Sequence, residues 1–154
     1  MLDNIQKSYI KKESIYGPDN YKPLPVVLSK AKGVWVWDVN DEKYIDMMSG
    51  YSAVSHGHAH PELLKVFHEQ SSRLSLTSRA FYTDTLGPYL ETITKMSKFE
   101  MCLPMNAGAE AVETAIKSSR RWAYRTKKVK PNKAEIIVAE CNFHGRTTTI
   151  ISFS

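Results

Sequence analysis

Met105-Asn106-Ala107-Gly108-Ala109-Glu110-Ala111-Val112-Glu113-Thr114-Ala115-Ile116-Lys117 places a turn of small residues between an apolar run and a long amphipathic helix. Ala111, Val112, Ala115, Ile116, Ser119, Trp122 and Ala123 share one helical face, and Glu113 and Lys117 stand one turn apart on another. Such a turn can seat an anion: free backbone N–H groups and the positive end of the helix dipole point at it, and Gly108 allows close approach. The same residues also suit an ordinary tight turn or N-cap, so on their own they leave both readings open.

Outward from this helix, Glu100 to Met105 reads as an apolar strand, and Ala134-Glu135-Ile136-Ile137-Val138-Ala139 as a buried one. Strand, helix, strand implies an α/β fold with a parallel pair and a right-handed crossover. Ligands of such sheets gather beyond the carboxyl ends of the strands, where both the Asn106-Ala107-Gly108 turn and Asn142-Phe143-His144-Gly145-Arg146 are expected. The second loop offers an aromatic face for a flat ring and a glycine for a tight turn. It also carries an arginine able to grip a carboxylate with two parallel hydrogen bonds.

Nearer the start, the first 20 residues read as a polar, helical extension that breaks at Gly17-Pro18. Tyr21 to Leu28 holds two prolines and is expected to be extended. Val34-Trp35-Val36-Trp37-Asp38 and Lys43-Tyr44-Ile45-Asp46-Met47 read as a hairpin around Asn40-Asp41. Pro61 suits the first position of a helix to about Leu74, and a further helix covers about Asp84 to Ser97, with Gly87-Pro88 in its first turn. Thr147 to Ser154 is apolar and β-branched with no turn signal after it, so a parallel sheet left there would have unpaired edges and uncovered faces.

The chain has 154 residues, 42% of them hydrophobic, which is enough for one domain with a real core. No 18-residue apolar run suits a membrane span, and the start has neither a secretory pattern nor the Arg-rich character of a presequence, so a cytoplasmic protein is expected. Cys102 and Cys141 read as reduced thiols. The formal charge of +5 is concentrated in Lys117, Arg120, Arg121, Arg125, Lys127, Lys128, Lys130 and Lys133, a stretch without an acid. It reads as a solvated helix end and loop, the alternative being a patch for a partner or nucleic acid on a non-catalytic remnant.

His56-Gly57-His58-Ala59-His60 would put three imidazoles on one face of an extended strand, a zinc arrangement. The competing reading, a turn whose histidines hydrogen-bond to backbone ahead of Pro61, is preferred, and no metal is expected. His68-Glu69 lacks the second histidine of a zincin, and no GxSxG serine elbow is present.

Taken together, several segments resemble the N-terminal part of the class III pyridoxal-phosphate aminotransferases, over about Gly17 to Phe153. They are Asn20-Tyr21-Lys22-Pro23-Leu24-Pro25-Val26, Lys32 to Val39, Tyr51-Ser52-Ala53-Val54, Gly57-His58-Ala59-His60-Pro61, Leu76-Thr77-Ser78-Arg79-Ala80-Phe81-Tyr82, Asn106 to Ala111 and Asn142 to Thr147. The Asn-Tyr-x-Pro-Leu-Pro and Thr-Ser-Arg-Ala-Phe-Tyr segments are similar to the ornithine branch, with the acetylornithine and 4-aminobutyrate branches as alternatives.

The resemblance implies a fold-type I transferase. Residues 1–55 would form the N-terminal arm and hairpin of the small domain, and residues 56–154 the first part of the cofactor-binding large domain. It implies that the N–H groups of Gly108 and Ala109 hold the phosphate of pyridoxal 5'-phosphate, that Phe143 stacks on its ring with His144 beside it, and that Arg146 pairs with a substrate carboxylate. Tyr21 and Tyr51 would shape the pocket for ornithine, with 2-oxoglutarate as the amino acceptor and a homodimer as the working form. Ala107 stands where the family often has Ser or Thr, and His144 where some ornithine enzymes have Trp. No lysine here sits in the context of the family's Schiff-base lysine, so this chain is expected to be a truncated N-terminal portion, inactive alone.

Overall fold

The computed structural model describes residues 3–153; Met1, Leu2 and Ser154, at the ends of the polar start and of the last apolar segment, lie outside the described residues. The chain divides into two compact units, one through Arg79 and one from Ala80.

The first unit opens with helix α1 (Asn4–Tyr16), capped by the Asp3 carboxylate, which accepts the Gln6 N–H at 2.7 Å. It ends at Gly17, as expected from the Gly17-Pro18 break. A three-stranded antiparallel sheet follows in the order β1 (Leu28–Lys32), β2 (Trp35–Asp38), β3 (Lys43–Ile45). The expected hairpin is the β2–β3 pair, with Trp35 opposite Ile45 and Val36 opposite Tyr44. β1 adds a strand that the sequence reading leaves out, because Lys30 and Lys32 break the apolar alternation that would have marked it. Helix α2 (Pro61–Arg73) starts on its proline.

The sheet is pinned by Asp38, whose side chain is fully buried. Its Oδ1 accepts the N–H groups of Asn40 (2.9 Å) and Glu42 (3.0 Å), which shapes the hairpin turn. Its Oδ2 accepts the Gln6 amide (3.0 Å) and the Tyr44 hydroxyl (3.2 Å). A buried carboxylate persists only when its lone pairs are met, and these four donors meet them. The N-terminal extension is therefore docked: Gln6 ties α1 to the sheet. Burial pushes the Tyr44 phenol up to about 12, with the Asp38 hydrogen bond and charge adding to it.

In the second unit, α3 (Leu86–Ser97) carries Gly87 and Pro88 in its first turn, and α4 (Gly108–Arg125) is the expected long helix. The parallel pair is a correction. Residues 100–105 and 134–139 form no strand among the described residues, and η1 (Ile150–Phe153), a short 3₁₀ turn, occupies the last apolar segment. Parallel strands are stable when both faces are covered, yet Leu103 is 70% exposed and Ile137 99% exposed.

The core is accordingly smaller than the composition suggests. Val36, Ile116 and Ile150 are the buried hydrophobic side chains among the described residues. Without a sheet layer to cover them, the apolar faces of α2 and α3 bury no side chain completely.

Candidate functional site

The site in the second unit is built where α4 begins. Ala107 is extended (φ −142°, ψ 157°) and gives α4 no side-chain cap. The first intrahelical bond there runs from the Ala111 N–H to the Ala107 carbonyl at 3.1 Å, so the preceding amides of the helix start lie before the ladder. Glu110 reaches back to accept the Asn106 N–H at 2.9 Å, a capping-box-like contact that leaves the Gly108 and Ala109 amides uncapped by it. A Cβ added to Gly108 would meet no atom within 4 Å. An uncapped helix start with open space at its glycine fits an anion approaching along the dipole.

The 142–146 loop meets this helix start without the expected sheet edge. Gly145 has φ +124°, and a Cβ there would stand 3.0 Å from the Cβ of Ala109 and 2.8 Å from Cδ1 of Ile150. Only glycine permits that backbone to lie so close. The Asn142 side-chain amide donates to the carbonyls of Ala139 (2.5 Å) and Phe153 (2.7 Å), tying the loop to η1. The Thr147 hydroxyl donates to the Glu113 carboxylate on α4, and this bond holds that carboxyl below its usual range, helped by Thr149 and Lys117. Glu113 thus takes the Thr147 hydroxyl in addition to the Lys117 charge one turn away on α4.

Phe143 is 69% exposed, and the Arg146 guanidinium carbon lies 5.9 Å from its ring centre. His144 is exposed beside them. Gly108, Ala109, Phe143, His144 and Arg146 therefore sit on two neighbouring segments held together at Gly145. The residues present suit a phosphate-bearing cofactor with a flat ring: an uncapped helix start, an accessible aromatic face and a guanidinium next to it.

Tyr21 and Tyr51 belong to the first unit. Tyr21 is 60% exposed and lines a cleft of about 770 Å³ between α1 and the segment leading into β1, with Tyr9, Ile10 and Leu24. Tyr51 lies in a run of four left-handed residues, Ser49 (φ 50°), Gly50 (φ 54°), Tyr51 (φ 55°) and Ser52 (φ 74°). Each non-glycine residue there costs about 1–2 kcal/mol, so the surroundings must impose the turn. Sequence reasoning missed it, because only Gly50 signals a positive φ.

The histidine run is not an extended strand, since Gly57 (φ +86°) and Ala59 (φ +50°) turn it. Among the described residues, no group of three His, Cys, Asp or Glu could hold a metal ion. The turn expected there has different partners from those foreseen: the His58 ring bonds the Asp46 carboxylate at 2.8 Å, while the His58 main chain pairs with Gly33. His58 is the leading cause holding the Asp46 carboxyl below its ordinary value, followed by the N–H groups of Ser49 and Met48. The eight cations from Lys117 to Lys133 are all exposed, and Lys127 lies over the Trp122 ring at 5.0 Å. No described helix is long and apolar enough to cross a membrane.

The class-III aminotransferase family profile matches residues 16–154. The chain is 55% identical over 148 residues to the ornithine aminotransferase of Bacillus cereus (strain Q1), covering 96% of this chain and 37% of that protein. The crystal structure of the ornithine aminotransferase from Toxoplasma gondii ME49 superposes with a TM-score of 0.92 at 40% identity, covering 98% of this chain and 35% of that one. The acetylornithine aminotransferase from Elizabethkingia anophelis superposes with a TM-score of 0.85 at 54% identity, covering 94% of this chain and 36% of that one. The chain thus spans little more than a third of the length of these relatives. A profile match running from the end of α1 through the α4 start and the 142–146 loop places this chain in the class-III aminotransferase family.

Proposed function

We propose that the protein at its full native length is a pyridoxal-phosphate-dependent ornithine aminotransferase, passing the δ-amino group of ornithine to 2-oxoglutarate. Residues 1–55 would be its N-terminal arm and hairpin segment, and 56–154 the first part of its cofactor-binding domain. The observation that carries the reading is the contact of Gly145 with Ala109, which sets Phe143 and Arg146 beside an uncapped helix start.

In this reading the Gly108 and Ala109 amides hold the cofactor phosphate, Phe143 stacks on the ring with His144 alongside, and Arg146 takes the ornithine α-carboxylate in a two-point grip. Held by its carboxylate, ornithine directs its far amino group to the cofactor, and Tyr21 and Tyr51 favour a substrate with a free α-amino group. Pyridoxal phosphate, when bound, supplies the electron sink that amino transfer needs. The lysine that carries the proton lies outside these 154 residues. The working form is a cytoplasmic homodimer.

The native-length protein is to be assayed with ornithine and with N-acetylornithine, each against 2-oxoglutarate. A kcat/KM higher for ornithine by about tenfold or more supports the assignment. The reverse preference replaces it with the second reading, acetylornithine aminotransferase, which the 54% identity to the Elizabethkingia anophelis enzyme favours.

A further inference from the structure

We propose that Asp46 is a positioning residue for Tyr51, its carboxylate clasping both ends of the 46–58 loop whose left-handed turn presents the tyrosine to an amino-acid substrate. The proposal rests on the reading of Tyr51 as a substrate-pocket residue.

The turn carries its own hydrogen bonds, from Tyr51 N–H to the Met48 carbonyl (3.0 Å), from Ala53 N–H to Gly50 (3.3 Å) and from Val54 N–H to Ser49 (3.1 Å). These bonds do not choose the hand of the backbone. Of the four left-handed positions only Gly50 is indifferent to it, and Ser49, Tyr51 and Ser52 each carry a Cβ that disfavours positive φ.

Asp46 supplies the constraint. On the entry side its Oδ1 accepts the N–H groups of Met48 and Ser49, both at 2.9 Å, which fixes the chain as the turn begins. On the exit side its Oδ2 meets Nε2 of His58 at 2.8 Å.

Both jaws of the clasp are anchored on the same piece of backbone. The Asp46 N–H donates to the Val34 carbonyl at 2.9 Å, and His58 exchanges two 2.8 Å bonds with Gly33. Gly57 approaches that anchor so closely that a Cβ there would lie 3.1 Å from the Gly33 Cα. One carboxylate therefore closes the loop from residue 46 to residue 58 on the turn between β1 and β2. Tyr51, 80% exposed, stands out from the middle of that loop. The carboxylate is fully engaged in holding backbone and imidazole, which suits a group that orients another residue.

The test is a double-mutant cycle in the native-length holoenzyme, combining Asp46→Ala with Tyr51→Ala. It is read by steady-state kinetics with ornithine and by amide hydrogen exchange at Met48, Ser49 and Tyr51. His58→Ala takes the place of Asp46→Ala if the latter loses its melting transition.

Asp46→Ala is expected to raise the ornithine KM by about tenfold with kcat held within about twofold. It is also expected to speed exchange at all three amides. In the Tyr51→Ala background it adds less than about twofold, because the residue it positions is gone. Losses that multiply, or unchanged exchange, overturn the proposal while leaving the Tyr51 reading intact. A Tyr51→Ala enzyme with unaltered ornithine KM removes that reading, and the positioning role with it.

Discussion

A Cβ placed on Gly145 would stand 3.0 Å from the Cβ of Ala109, so the loop bearing Phe143 and Arg146 lies directly against the first turn of α4. This contact replaces the parallel sheet edge as the reason the two candidate segments meet.

Gly145→Ala should therefore act on both stability and site. The positive φ and the two close contacts are expected to cost the second unit about 1–3 kcal/mol, read as a lowered urea midpoint. Titration with pyridoxal phosphate should show weaker binding in the same variant. A midpoint and an affinity equal to those of the parent protein would mean that the loop backs away without consequence.

Arg146→Lys keeps the charge but loses the planar fork, so the proposed carboxylate grip predicts an ornithine KM about tenfold higher or more. Cofactor affinity should change little. Similar losses in both would assign Arg146 to the cofactor.

The Thr147 hydroxyl holds the Glu113 carboxyl below its ordinary value of 4.5 in the folded protein. A depressed folded value contributes stability that is present above 4.5 and lost as pH falls through the folded value. Thr147→Val is expected to make the stability of the second unit less sensitive to acid below that point. Parallel acid-unfolding curves for the two proteins would show the bond to be immaterial.

Tyr44 offers the opposite sign. Its phenol is raised from 10.0 to about 12 by burial and by Asp38, so its contribution to stability is complete below 10.0 and is lost as pH rises towards about 12. Ultraviolet titration should show one tyrosine ionising late, and Asp38→Asn should bring it back towards the ordinary value. A late tyrosine that persists in Asp38→Asn would leave burial, with the smaller effect of Glu42, as the cause.

Local chemistry was legible in the chain. Asp3 and the Gly17-Pro18 break bound α1, Pro61 starts α2, and the 3.6-residue periodicity after Gly108 marks α4, because helix signals act over one or two turns. The β2–β3 hairpin followed from alternation around Asn40-Asp41. The family was legible too, since its motifs lie in these short segments.

The tertiary structure decided what depends on distant residues. Whether residues 100–105 and 134–139 become strands depends on partners and covering layers, and alone their apolar runs stay exposed. The Asp38 hub joins residues 32 positions apart, the Asp46–His58 clasp 12, and the Thr147–Glu113 bond 34. No periodicity announces such pairings. Sequence by itself determined where helices begin, where the hairpin turns and which family the motifs belong to, because those follow from neighbours along the chain. Which loop lies against α4, and why Tyr51 sits in a left-handed turn, was decided only by folding, where close approach at Gly145 and a fully engaged carboxylate at Asp46 select one arrangement.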